Sequence, residues 1–532
     1  MRATVATLDF FHCILSRTAR CLCGGRTKSI LGLVVLTLLL GRASVHAGVE
    51  WSYYLGGSEV DQIRDLAISA SGDVYVTGGT ASSNFPTKAN ESGYVYDATH
   101  NGSYDVFVTK VGPDGAIRWS TFIGGPGYDR AYAIELDGQG GVYIAGRAGI
   151  GFPVSAGVLQ TAFQGGREHL GDPYGEQDGF VCKLTAEGVL VFCTYFGGTD
   201  GSMIRDIAID AAGDLYLASA YVNGTTYPPA IGGSFLNSPG GGQDTVVAKI
   251  SGDGRQMRWA RYVGGSAEEV GTASVRVDHT APGNVYLLTA TQSAGLATPG
   301  AYDESYGGGP DILLATFDPQ GALRWASYLG GSGNDSTETH ELGVDGAGNA
   351  YVVIGTTSPT GEIARSGQTV EHRYGAGGGQ SDIVAAKISA DGRRLLVLTL
   401  LGGSGDDRAE GTAVDAAGNV VFTGLTASAD FPVTADAVQA EFRGAYDALA
   451  VRLTPNLELE YSSYRGGEKI DYGRSAAIGQ GRMAIFGGVS ESAKWPVVGG
   501  AGQTQKSGLF DGILWKLSDS VRSTPCRIRS CC

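Results

Sequence analysis

After residue 40, no stretch of this 532-residue sequence is apolar enough for long enough to cross a bilayer as a helix. Positive charge is scarce as well: 39 Lys and Arg stand against 54 Asp and Glu, a formal net charge of −15. That balance argues against nucleic acid and anionic membrane surfaces as partners, and it permits cations, basic proteins or neutral glycans. Catalytic signatures are missing too. Downstream of residue 47 the histidines are His100, His169, His279, His340 and His372, with no HExxH, no HxH and no regular spacing. No GxSxG marks a nucleophile elbow.

What the sequence has in plenty is glycine, 85 residues, and much of it is periodic. Gly-Gly pairs fall at 56–57, 124–125, 197–198, 264–265, 330–331, 402–403 and 466–467. In step with them runs an Asp that opens a short apolar segment: Asp105, Asp178, Asp244, Asp311, Asp382, Asp447 and Asp511. A fixed period of this kind marks a repeat architecture. The unit from Leu401 to Arg452 shows the pattern best. A small-residue run (Ala409–Asp415) meets a Gly-Asn turn and a second run (Val420–Gly424). A longer connection leads to a third run (Ala448–Leu453) and, past a tight turn, a fourth (Leu457–Tyr464). Each is rich in Val, Ile, Tyr, Phe and Thr and bounded by turn residues, so each reads as a strand. Four antiparallel strands repeated seven times describe an all-β, seven-bladed β-propeller.

LGGSGDD, VDAAGNVVFTG, the following FPV and the closing DALAVR resemble the SBBP (seven-bladed β-propeller) repeat of bacterial secreted and cell-surface proteins. The resemblance spans roughly 49–517; repeats one, two and six match best, and repeats three, four and five depart around the aromatic-Pro pair. It implies the propeller fold and carries no established catalytic residues.

Residues 1–47 read as a secretory leader: Arg17, Arg20, Arg26 and Lys28 precede the apolar run Ile30–Leu40, and Val45-His46-Ala47 offers a small-residue cleavage site. Its removal takes the net charge to about −20 and places the protein outside the cytoplasm, as an extracellular, cell-surface or periplasmic chain with no transmembrane segment. Residues 48–517 form the propeller, and 518–532 a short Cys-containing tail. Val49–Leu55 matches the fourth strands elsewhere, whereas the last repeat supplies only three strands. The N-terminal strand is therefore expected to complete the last blade and close the ring.

Turns between first and second strands and between third and fourth strands are tight, whereas the connections 155–177, 223–243 and 358–381 are long and variable. Variable loops on a rigid scaffold are where binding usually resides. These loops carry aromatics, and Tyr302, Tyr306 and Tyr374 are the ligand-binding candidates; the competing reading is that such aromatics cover blade edges. An acid follows each Gly-Gly: Asp61, Asp129, Asp200, Glu269, Asp335, Asp407 and Asp471. Such a ring at the channel mouth suits Ca²⁺, a cation that prefers oxygen ligands. A turn-capping carboxylate, repeated because the blade repeats, explains the same residues, and Arg130, Arg408 and Lys469 dilute the ring. Cys182 and Cys193 flank a hairpin turn; simple register sets Cys182 against Val191, and a bulge or strong twist is needed for a disulfide. The function expected is a non-catalytic binding or scaffold module for a protein or glycan. The alternative is a propeller enzyme, a polysaccharide lyase or glycoside hydrolase working at the channel mouth. A convergent cluster of carboxylate, His, Tyr and Arg would favour the enzyme.

Overall fold

The computed structural model describes residues 45–165, 174–199, 201–222, 241–278, 283–364, 371–375, 378, 380–500 and 502–521. Residues 1–44 of the expected leader, Asp200, most of the 223–243 connection and the tail cysteines Cys526, Cys531 and Cys532 lie outside the described residues. Among the described residues no helix is long and apolar enough to cross a membrane.

The short β-branched and aromatic runs form seven sheets, the blades of a propeller, each built on four antiparallel strands. In blades 1 to 4 and 6, chain order runs directly from the inner to the outer strand, as in Asp61–Ile68, Val74–Thr80, Asp105–Val111 and Ile117–Ile123 of blade 1. The second and third strands are buried on both faces because neighbouring blades cover them, which is why their sequences read as unbroken apolar runs. In the last blade the order is Val45–Leu55, Asp511–Val521, Ala484–Ser490, Asp471–Ile478, so the N-terminal strand is the outermost. Blade 5 departs from the pattern: its inner strand is broken into Asp335–Ser336 and Leu342–Val344, and His372–Tyr374 adds a parallel strand outside Leu395–Leu401.

The core lies between blades rather than within them. Tyr75, Val108 and Trp119 of blade 1 pack on Ile134, Ile144 and Phe180 of blade 2. Trp51, Ile485 and Leu514 of the last blade pack in the same way on Val76 and Phe107 of the first. Outer-strand tryptophans tie four of the seven junctions. Trp119 Nε1 donates to Ala186 O (2.9 Å), Trp259 to Pro319 O (2.9 Å) and Trp325 to Ala390 O (3.0 Å), each carbonyl belonging to a tight turn of the next blade. The turn glycine beneath the ring is required twice over. Gly188 and Gly321 have φ of 79° and 79°, and a Cβ would come within 2.9 and 2.6 Å of the indole.

Cys182 and Cys193 are bonded, with Cα atoms 4.1 Å apart. The turn pairs Leu184 with Leu190, and a one-residue register shift between Lys183 and Leu184 then sets Cys193 directly opposite Cys182, in place of the Val191 expected. The shift is a feature of the repeat, recurring at Lys110/Val111, Lys249/Ile250 and Arg452/Leu453. Reduction is expected to lower the unfolding free energy by at most ~3 kcal/mol, since the loop closed is short. Equal urea midpoints with and without reductant, or free thiols at both positions in unreduced protein, would contradict the bond.

Candidate functional site

The residues that define the repeat meet at every blade junction and serve structure there. Asp61 is buried and accepts hydrogen bonds from Gly57 N (2.6 Å), Ser82 Oγ (2.9 Å) and Thr80 Oγ1. Asp335, Asp407 and Asp471 repeat this with Gly331, Gly403 and Gly467 and with the Ser and Thr hydroxyls of their own blades. Asp129 uses the amides of Gly125 and Gly149. The Asp opening the third strand presses against the same point. A Cβ on Gly264 would lie 2.0 Å from Asp244 Oδ1 and 2.2 Å from Glu269 Oε2, and one on Gly330 2.6 Å from both Asp311 and Asp335. The first Gly of the pair is therefore small because a carboxyl group occupies the space, and at Gly56, Gly264 and Gly330 two do. Burial, reinforced by the second acid, pushes Asp129 up to about 7 and Glu269 to about 8.

The metal candidates Asp61, Asp129, Asp335, Asp407 and Asp471 each sit buried at a separate junction and accept hydrogen bonds there. In blade 3 the equivalent position is Ser202, whose N–H donates to Gln177 O as Asp129 N–H does to Tyr104 O. Among the described residues no group of three or more His, Cys, Asp or Glu side chains is arranged to hold a metal ion.

Among the described residues, the connections between second and third strands of blades 4, 6 and 7 run along the blade edges. Backbone bonds tie Thr298 to Ala326, Asp303 to Tyr328, Thr434 to Ser462, Gln439 to Tyr464 and Gln503 to Tyr54, each time against an outer strand. They cover backbone groups that an edge strand would otherwise expose. Tyr302 donates to Ile363 O (2.8 Å), Tyr374 accepts from Leu459 N (3.0 Å), and Tyr306 donates to Gly309 O beside the ring of Tyr328. All three are half-buried and anchor loop to blade.

A different set of residues faces the channel. In five inner strands the pairing skips one residue, three positions after the conserved start of the strand: Arg64, Tyr132, Arg205, Glu410 and Arg474. A bulge of this kind re-aims the side chain. In blade 5 the interruption is larger, and residues 337–341 leave the sheet. His340 takes φ 68° and reaches three other blades: Nδ1 lies 3.1 Å from Asp206, and Nε2 lies 2.9 Å from Tyr132 O and 3.6 Å from Asp65. Its backbone carbonyl accepts from Thr412 N (2.7 Å), and Glu341 N donates to Ser274 Oγ (3.2 Å). Burial disfavours the imidazolium, but Asp65 and Asp206 outweigh it and hold the pKa up at about 9. Arg276 pairs with Asp206 at 2.6 Å, and Arg474 pairs with Glu410. The excursion of blade 5 thereby plugs the channel with a closed network of charges.

Toward the Gly-Gly face, above this plug, lies a second cluster. The guanidinium carbons of Arg64, Arg130, Arg147 and Arg205 stand 5.7, 4.9, 5.8 and 4.8 Å from the centre of the Tyr132 ring. Tyr132, Arg130 and Arg147 are buried, while Arg64 and Arg205 are half-exposed. Burial raises the phenol, but the neighbouring guanidinium groups more than offset it and bring Tyr132 down to about 8. Beside the arginines, Tyr104, Tyr128 and Tyr174 form a row with ring centroids 4.7 and 4.6 Å apart.

Residues 50–86 match the sequence profile of SBBP, a β-propeller repeat. No curated protein matches the chain. Among solved structures, quinohemoprotein alcohol dehydrogenase ADHIIG from Pseudomonas putida HK5 is 10% identical, with 88% of this chain and 76% of that one covered and a TM-score of 0.34. A europium-containing methanol dehydrogenase is 12% identical over 89% of this chain and 93% of that one, with a TM-score of 0.35. An acylaminoacyl peptidase from Pyrococcus horikoshii is 11% identical over 84% of this chain and 50% of that one, at 0.35. Likeness at this level carries no argument about activity. The repeat read from the sequence is thus matched over residues 50–86, and the chain folds as a seven-bladed β-propeller.

Proposed function

We propose that this protein is a secreted or cell-surface binding module without catalytic activity, recognising a glycan or protein at the Gly-Gly mouth of its channel over blades 1 to 3. The supporting observation is the set of four arginines and a row of tyrosines converging there, with Arg64, Arg205, Tyr104 and Tyr174 reaching solvent. Carboxylate and His groups do converge in the channel, the feature that would favour an enzyme. They are committed to one another, however: His340, Asp65 and Asp206 are all below a tenth exposed. A general acid or base needs reach to a substrate proton, and none of these three has it.

The test is a glycan and protein binding screen on the secreted protein, followed by variants. Arg64→Gln is expected to weaken whatever binding is found at least tenfold, and Tyr374→Ala to leave it nearly unchanged. Binding that survives Arg64→Gln but is lost with Tyr302→Ala or Tyr374→Ala would return recognition to the blade edges. Turnover of a polysaccharide by the purified protein would install the enzyme reading.

A further inference from the structure

We infer that the mouth over blades 1 to 3 is an anion site that takes the carboxylate or sulfate of an acidic saccharide, which rests on the binding module proposed above and names its ligand class. The argument starts from how the other channel arginines are treated. Arg276 is paired with Asp206, and Arg474 with Glu410. Among the described residues Arg64 and Arg130 have no carboxylate partner: Arg64 donates to Gln62 Oε1 (3.1 Å) and Arg130 to Tyr128 Oη (2.9 Å). The Nε of each is buried with no hydrogen-bond partner. Arg130 is 6% exposed, and burial together with Arg147 and Arg474 pulls its pKa below the usual arginine value. In a chain of net charge −15, like charges left uncompensated in a protected mouth are the exception. A buried cation without a counter-charge is costly, and a bound anion removes that cost. Guanidinium forks match carboxylate and sulfate oxygens in plane, which a lysine cluster does not.

The saccharide part rests on the tyrosine row. Tyr174 lies 3.9 Å beneath the Arg147 guanidinium, and Tyr104 and Tyr174 are both half-exposed. An aromatic face next to a guanidinium offers stacking for a sugar ring and a charged partner for its acid group. Tyr132 is the built-in competitor. Facing Arg64, Arg130, Arg147 and Arg205, with its carbonyl bound by His340, it becomes a phenolate as pH passes about 8 and claims the same arginines.

The experiment is titration calorimetry of the full secreted protein with trigalacturonate, with neutral galactotriose and inorganic sulfate as the comparison probes. Trigalacturonate is expected to bind more tightly than either, to weaken as salt rises, and to weaken above pH 8 in the native protein but not in Tyr132→Phe. Arg64→Gln is expected to weaken it at least tenfold with an unchanged melting temperature, and Arg64→Lys to restore only part of the loss. Galactotriose binding equally well, indifferent to Arg64→Gln, would overturn the anion site and leave the binding module standing. Sulfate binding without trigalacturonate binding would overturn the saccharide class. No binding of any probe, while the screen identifies a partner elsewhere, would overturn the inference alone. Unsaturated products absorbing in the ultraviolet would keep the site and replace the non-catalytic reading.

Discussion

Replacing His340 with leucine is expected to lower the unfolding free energy by about 3–5 kcal/mol, the cost of leaving buried carboxylates without their partner. The imidazole is 3% exposed and holds Asp65 of blade 1 and Asp206 of blade 3 together, while its carbonyl fixes blade 6. The same geometry sets a pH dependence. The folded pKa is raised from 6.5 to about 9, so the contribution is fully present below about 6.5 and is lost as pH rises through 9. For one group shifted that far the full contribution is on the order of 3 kcal/mol. The junction acids act in the same direction. Asp129, raised to about 7, and Glu269, raised to about 8, favour the protonated form when folded, so their contribution also falls as pH rises. Urea unfolding of the native protein should therefore show a midpoint that declines from pH 6 to pH 9.5. The difference between native and His340→Leu isolates the histidine and should shrink over that window, because both proteins carry the same junction acids. A difference below about 1 kcal/mol at pH 6, or one that grows with pH, would contradict the network.

The strand count and the blade number are legible from local chemistry alone, because each strand is short, bounded by turn residues and repeated. The landmark residues are harder. Gly-Gly and the two acids recur for one reason, a shared junction, and nothing in the spacing of Gly264, Asp244 and Glu269 says that the two carboxyl groups press on one glycine. Repetition makes them look like a ring at the channel mouth, and the sequence does not say that each is buried. Loop length alone does not distinguish a loop that projects from one that runs back along an outer strand, as Thr298 and Asp303 do against Ala326 and Tyr328. The channel residues were present in the repeat all along. Counting three positions on from Asp61, Asp129, Ser202, Asp407 and Asp471 gives Arg64, Tyr132, Arg205, Glu410 and Arg474, the variable column in an otherwise small-residue strand. His340 also had a signal: ten positions separate Asp335 from the turn Asp345, against eight from Asp129 to Asp137 or from Asp407 to Asp415. Two extra residues in an inner strand leave the sheet only inward, toward the channel, because the second strand blocks the other side.

Deleting Glu50–Leu55 is expected to abolish cooperative unfolding and drive the protein to aggregate. This strand is the outermost of the last blade, yet it is anything but peripheral. Trp51, Tyr53, Tyr54 and Leu55 are each no more than 3% exposed. Tyr54 Oη donates to Ser492 O (2.7 Å) and accepts from Trp495 N (2.9 Å), and Trp51 Nε1 donates to Pro113 O of the first blade (3.1 Å). Arg465 of blade 6 reaches Ser52 Oγ at 2.7 Å. Removing a single buried aromatic costs about 3–5 kcal/mol, and total stability is only about 5–15 kcal/mol, so losing three such side chains together with Leu55 exceeds what a domain can tolerate. The deletion also strips the partner from Asp511–Val521, leaving an apolar strand edge that pairs readily with other chains. Size-exclusion chromatography and urea unfolding read the outcome. A synthetic peptide spanning Val49–Leu55, added during refolding, should restore monomer and cooperativity by adding the missing strand in trans. A truncated protein that stays monomeric and unfolds at the native midpoint would show that the last blade stands without it, and that the ring is held closed by the first and last blades' inner strands alone.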